Sequence, residues 1–250
     1  MSTHSDNAQL EHQPKVEVRR SASRARTRLP WLDSYHSFNF GRHYDPTNLP
    51  HGLLIVSNDD MVAAGGGFDT HHHSDMEIVT WVLSGALEHT DSTGTAGVIR
   101  PGLVQRMSAG TGIAHSEKNH SEIDPVHFVQ MWVVPDRQGL APRYEQFDLT
   151  DQLSDGGFVL AASGRDQGAP VTLNQLAASM WVGRLGQYET ATLPAAAFVH
   201  VFLATGTASI NNGEHLAAGD AVRLTNTSGT ITTMSPAEII VWEFHDALSS

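Results

Sequence analysis

The sequence predicts an all-β protein made of two copies of one β unit, and three features carry that reading. Short β-branched or aromatic runs recur, among them residues 76–83 (MEIVTWVL), 126–134 (VHFVQMWVV) and 238–244 (EIIVWEF). Turn-forming clusters separate such runs at 57–60 (SNDD), 91–94 (DSTG), 100–102 (RPG), 109–112 (AGTG) and 211–213 (NNG). A weak internal repeat lays 78–87 over 199–208, with Gly85 over Gly206, and the 100–102 turn over 217–219. Many short strands at this spacing form a sandwich or a barrel. No long stretch holds a 3.6-residue period, so any helix is short, with 173–178 the best candidate.

The repeat places a boundary in the Pro-, Gly-, Asp- and Gln-bearing segment 135–157. The expected organisation is a disordered polar tail over 1–15, an N-terminal unit over 16–140 and a C-terminal unit over 141–250. His4 and His12 fall in the tail and are read as bystanders.

Composition narrows the chemistry. At 40% hydrophobic and 17% charged residues, the 250-residue chain has enough apolar material for packed cores. Cysteine is absent, which excludes disulfides, thiolate metal sites and a cysteine nucleophile, and a cytoplasmic protein is the expectation. No secretion signal or membrane-spanning apolar stretch is seen. A net charge of −12 argues against nucleic acid or an anionic membrane as partner. The one basic stretch, 15–28, carries Lys15, Arg19, Arg20, Arg24, Arg26 and Arg28 against Glu17. It reads as an entry segment pairing with an acidic surface, since no aromatic residue interleaves the arginines.

The chemistry concentrates in GGGFDTHHHSDME (65–77) and AGTGIAHSE (109–117). On a strand, residues two apart share a face, so His71 and His73 project together and His72 points away. Glu77 joins that face if the strand continues. The same period pairs His115 with Glu117. Taken singly, either stretch is also the pattern of a polar surface run or a common turn. Together, two strands each offering a pair of ligands can close around one cation. Three imidazoles and a carboxylate suit iron, nickel, copper or zinc and argue against calcium or magnesium.

Between about residues 31 and 135 the chain resembles the pirins, bicupin proteins with metal in the N-terminal barrel. The resemblance rests on WLDS (31–34), HSFNF (36–40), HYDP (43–46), NDD (58–60), DME (75–77), LEHTDS (87–92), QRMSAG (105–110), GIAHSE (112–117) and FVQMW (128–132). It implies a bicupin of two jelly-roll-type β-barrels, with His71, His73, His115 and Glu117 as metal ligands and Glu77 near the metal without binding it. It also implies one divalent ion, Fe(II) first, with Ni, Cu, Zn, Mn or Co as alternatives. Two positions depart from the family pattern: His72 stands where pirins carry proline, and Ser74 where they carry a basic residue.

The implied activity is that of a quercetin 2,3-dioxygenase, acting on a flavonol or related enolic aromatic molecule with dioxygen. Glu117 is the expected proton acceptor, and Phe68, Met76 and Trp132 are candidates for an apolar pocket. The alternative is a redox-sensing protein that regulates a protein partner. Carrying the ligand positions across the repeat lands on Thr192, Pro194, Thr232 and Met234, so the second barrel is expected to be metal-free and to wall the pocket. His200 and His215 are read as core or surface histidines.

Overall fold

The computed structural model of the chain describes residues 13–248 except 212. The expected disordered tail therefore lies outside the described residues up to position 12, as does Asn212 of the 211–213 turn. The architecture is two jelly-roll-type barrels, each a seven-stranded sheet packed against a four-stranded one.

The two large sheets match strand for strand except at one edge, where the last pairing is antiparallel in the first and parallel in the second. The first runs in the order Arg143–Asp148, Leu103–Ser108, Glu77–Ser84, Val126–Val133, Leu54–Val62, Leu32–His36, Ala25–Leu29. The second runs Lys15–Arg19, Ala221–Thr225, Phe198–Thr205, Ala237–Phe244, Ala178–Leu185, Phe158–Ser163, Val171–Thr172. The repeat glycines behave alike. Gly85 and Gly206 have φ of 78° and 82°, and an added Cβ would meet the carbonyl of Pro125 at 2.7 Å or of Pro236 at 2.3 Å. A left-handed turn that close to a neighbouring backbone admits only glycine.

The sheets do not divide where the chain does. Lys15–Arg19, at the start of the expected N-terminal unit, pairs instead with Ala221–Thr225 in the second barrel, and Arg143–Asp148, which follows the 140 boundary, pairs with Leu103–Ser108 in the first. Each large sheet thus takes one edge strand from across the boundary. The basic stretch makes the crossing. Arg20 reaches Glu214 and Asp220, Arg24 reaches Asp59 at 2.8 Å and Arg26 pairs with Asp33, so it is absorbed by acids of this chain.

Two local expectations change. Residues 173–178 are not helical; the short helix is Thr150–Ser154, whose first amide is accepted by Asp148 at 2.9 Å. The 173–178 segment is held open because its groups bond outward: Asn174 to Glu77, the Leu176 amide to Asp136, and the Gln175 side chain to the Val134 carbonyl. The 57–60 cluster is not a turn but the middle of strand Leu54–Val62. Its polarity has another cause: Asn58 and Asp60 face a cavity.

The barrels meet through a shared apolar core. Trp81, Val129 and Met131 of the first large sheet pack with Met180, Phe202 and Trp242 of the second. Inside the second barrel Leu193, Val201, Ile210, Leu224, Ile231 and Val241 belong to one continuous apolar cluster. Inside the first, the apolar residues divide into two separate clusters, one around Leu87 and Phe128 and one around Ile78 and Met107. The polar site is built from other residues of this barrel.

Candidate metal centre

Two antiparallel strands of the first small sheet, Gly67–His73 and Ile113–Asn119, set the histidines. His115 is the register partner of His71, and Ile113 that of His73. Alternation buries Ile113, His115, Glu117 and Asn119, while His72 is exposed between half-buried His71 and His73. A bulge between His115 and Glu117 brings Glu117 opposite Phe68. There the backbones approach so closely that a Cβ on Gly67, at φ 148°, would lie 2.4 Å from the Glu117 carbonyl.

The three imidazoles converge. Ring centroids lie 4.4 Å apart for His71 and His115, 4.8 Å for His71 and His73, and 5.0 Å for His73 and His115. Ligand atoms of these three lie within 4.8 Å of one another; Glu117 forms an adjoining set with His115 and His89. His71 Nδ1 donates to the Asp69 carbonyl at 2.8 Å, which leaves the Nε2 lone pair free. Burial holds His73 at a pKa of about 4 and His115 at about 3, so both are neutral near pH 7. Nε2 of each is buried with no hydrogen-bond partner among the described residues. Orphaned imidazole nitrogens converging on one point fit a divalent ion, which requires deprotonated ligands.

A residue that sequence reasoning missed stands behind them. His89 is fully buried, with Nε2 3.1 Å from Asp91 Oδ2 and Nδ1 3.4 Å from His115 Nδ1. Tyr144, on the edge strand from beyond the boundary, covers the His89 ring at 4.8 Å between centroids. The signal was the alternation of LEHTD, strand Leu87–Asp91, whose odd positions are buried.

Glu117 is held by Gln130, whose Nε2 donates to both carboxylate oxygens at 2.8 Å and whose Oε1 accepts from Trp132 Nε1 at 3.1 Å. Burial raises the Glu117 carboxyl above its ordinary range. Glu77 lies elsewhere. The histidine strand ends at His73, Asp75 takes φ 50°, and Glu77 opens a strand of the large sheet. There it accepts from Ser108 Oγ at 2.9 Å and from the Asn174 amide and side chain at 3.1 Å, and it does not line the cavity. It ties the barrels together.

His71, His73 and Glu117 line a cavity of about 410 Å³, while His115 is buried and does not line it. Phe68 and Trp132 line it as expected, joined by Trp31 and Phe40; Met76 packs instead with Ile78 and Met107. All lining residues fall between Thr27 and Trp132, so the second barrel supports the cavity from behind and does not wall it. In that second barrel Thr232 pairs with Thr190 rather than Thr192, and among the described residues no ligand cluster forms. His200 is a core histidine beside Phe38, and His215 is exposed next to Met234.

A bicupin with a metal-competent His/Glu cluster in its first barrel is the class that fold and site define. The pirin family profile matches residues 17–133, and one described as the quercetinase C-terminal cupin domain matches 160–244. The chain is 53% identical to a putative quercetin 2,3-dioxygenase of Mycobacterium tuberculosis over 93% of its length and 96% of the relative's. It is 43% identical to the quercetin 2,3-dioxygenase of Escherichia coli K12 over 60% of its length and 65% of that enzyme's. The crystal structure of the bacterial pirin YhhW from Escherichia coli in complex with nickel(II) superposes with a TM-score of 0.85 at 33% identity, covering 94% of this chain and 100% of that one. The chain belongs to the pirin family. Among the described residues, no helix is long and apolar enough to cross a membrane.

Proposed function

We propose that the protein is a dioxygenase for a flavonol such as quercetin, or a related enolic aromatic molecule, with one Fe(II) held by His71, His73, His115 and Glu117. The observation that carries this reading is the pair of orphaned Nε2 atoms of His73 and His115, set beside an aromatic-lined cavity of about 410 Å³. That volume is in the range of small-molecule sites. The names of the relatives support the substrate class, while the nickel complex of YhhW shows that a relative of this fold accepts another metal.

A divalent ion at this cluster supplies Lewis acidity, lowering the pKa of a hydroxyl placed against it. The chain's own residues do the rest. Trp31, Phe40, Phe68 and Trp132 hold a flat ring and exclude water. Glu117 takes the hydroxyl proton on its carboxylate, whose plane the Gln130 amide fixes by donating to both oxygens.

The test is consumption of quercetin and dioxygen by protein loaded separately with iron, nickel, copper, zinc, manganese or cobalt, with metal content measured on the same samples. Turnover at about one ion per chain supports the reading. Full loading without turnover by any metal refutes it and favours the sensor alternative.

A further inference from the structure

The cavity has a second polar wall. Strand Leu54–Val62 alternates its faces, so Asn58 and Asp60 look into the cavity while Asp59 looks out to Arg24 and His127. Ser34 and His36, on the neighbouring strand Leu32–His36, line the same wall. This wall belongs to the large sheet, whereas His71, His73 and His115 belong to the small one.

Most polar groups on this wall are already engaged. His36 has Nδ1 at 2.8 Å from Asn58 Oδ1 and Nε2 at 2.8 Å from Thr27 Oγ1. Gln130 is fully used by Glu117 and Trp132. Asp60 is the exception. It is 3% exposed, receives a hydrogen bond from Ser34, and leaves Oδ1 buried with no partner among the described residues. A buried carboxylate oxygen without a partner is costly, and among the described residues no cation is paired with it.

We propose that Asp60, oriented by Ser34, is a recognition point of the cavity that takes a ligand hydroxyl other than the one placed against the histidine cluster. The proposal rests on the cavity being the ligand site of the function proposed above and adds which ligands it prefers. A hydroxyl is the matching chemistry because it both donates and accepts, and so pairs with a carboxylate or a carboxylic acid. Burial lifts the Asp60 carboxyl to about 7, so both states are populated near neutrality. Trp31, Phe40, Phe68 and Trp132 line the same cavity and fit a flat ring system, so the preferred ligand is a polyhydroxylated aromatic rather than one hydroxylated at a single position.

Calorimetric titration under nitrogen compares quercetin with 3-hydroxyflavone, which keeps the enolic end but lacks the remote hydroxyls. Parent protein is expected to bind quercetin at least about tenfold more tightly, the effect of one hydrogen bond to a charged group. In Asp60→Ala that ratio should fall to near one, with 3-hydroxyflavone affinity and metal content unchanged. Ser34→Ala should lower the ratio by a smaller factor, and it remains informative if Asp60→Ala fails to fold. The proposal is overturned if the parent shows no preference, if neither ligand binds, if the ratio survives in well-folded Asp60→Ala or, should that variant fail to fold, if Ser34→Ala keeps the full ratio. Because binding is read without dioxygen, the two ideas separate. The ratio pattern without turnover sinks only the dioxygenase reading, and turnover with an unchanged ratio sinks only the role of Asp60.

Discussion

His89 fixes which nitrogen of His115 keeps a free lone pair. Its Nε2 lies 3.1 Å from the Asp91 carboxylate, which can only accept, so His89 carries its proton there and presents Nδ1 as an acceptor. His115 Nδ1, 3.4 Å away, is then the donor, and the His115 lone pair is left on the buried, partnerless Nε2. Asp91 is itself fixed by Thr93, whose amide and hydroxyl donate at 2.8 and 2.6 Å. A carboxylate, an imidazole and a turn thus select one tautomer of one candidate ligand.

His89→Phe, close in volume and without nitrogen, is therefore expected to weaken metal binding about ten- to a hundredfold, the usual cost of an outer partner. Competition against a chelator measures it. His120→Ala, an exposed histidine pairing with Glu88, is the control and should leave affinity unchanged. Equal affinity in parent and His89→Phe would refute the tautomer argument.

The strand carrying the candidate ligands gives a sharper contrast. His71→Ala, His73→Ala and His115→Ala should each reduce bound metal severely, whereas His72→Ala should bind as the parent does, because His72 is exposed on the opposite face. Loss of metal in His72→Ala would mean that the strand register differs in solution.

Acid should destabilise the metal-free protein. His36, His51, His73, His115 and His200 are all held below the ordinary imidazole pKa chiefly by burial, His51 and His73 to about 4 and His115 to about 3. Below about pH 6.5 the unfolded chain takes up protons that the folded one refuses, so each such group makes stability rise with pH by up to about 1.4 kcal/mol per unit between its folded and unfolded pKa. Asp60, Glu117 and Glu243 act oppositely, since their folded pKa values are raised. Five histidines against three acids leave the sum in favour of the histidines. The melting temperature of chelator-treated protein should fall steadily from pH 7 to pH 5. A flat or rising profile would contradict it.

Much of this was legible because alternation on strands is a local property. The exposure of His72 between His71 and His73, and the shared face of His115 and Glu117, follow from a two-residue period alone. Glu77 shows the limit. The same period would carry it onto the histidine face, but the left-handed Asp75 ends the strand, and a positive φ at an aspartate leaves no firm mark in sequence. Asn58 and Asp60 misled in the opposite direction: polar residues in a row read as a turn, whereas here they are one wall of a cavity inside a barrel. The crossed edge strands are non-local, because Lys15–Arg19 finds its partner some two hundred residues away.

Those crossed strands bear on any attempt to isolate the first barrel. Ending the chain at 138 removes Arg143–Asp148, strips Tyr144 from His89 and exposes Trp81, Val129 and Met131, which pack against the second barrel. Such a truncation should be insoluble or aggregate, as a large exposed apolar face predicts. Extending it to 155 restores the edge strand but not the covering barrel, so solubility should improve little. Soluble, monomeric, metal-loaded protein ending at 138 would show that the shared core is dispensable.

Glu117→Gln probes the base assigned to the cavity. The substitution keeps size and one oxygen but removes charge and basicity, so turnover should fall about a hundredfold or more, the usual contribution of a positioned base. Its partner adds a second effect. Gln130 Nε2 donates to both Glu117 oxygens, and an amide at 117 can accept on only one side, so the new NH2 must turn away or face another donor. Metal affinity should therefore fall too, and the comparison has to be made at full metal occupancy. Glu77→Gln is the control, and it is not silent: the loss of charge-assisted bonds from Ser108 and Asn174 should cost roughly 1–3 kcal/mol of stability. It should nevertheless leave metal content and kcat near the parent values, because Glu77 lies outside the cavity. Turnover at the parent rate by fully loaded Glu117→Gln would remove Glu117 from proton transfer, whereas an equal loss of turnover in Glu77→Gln would place the defect in the packing of the two barrels rather than in chemistry at the site.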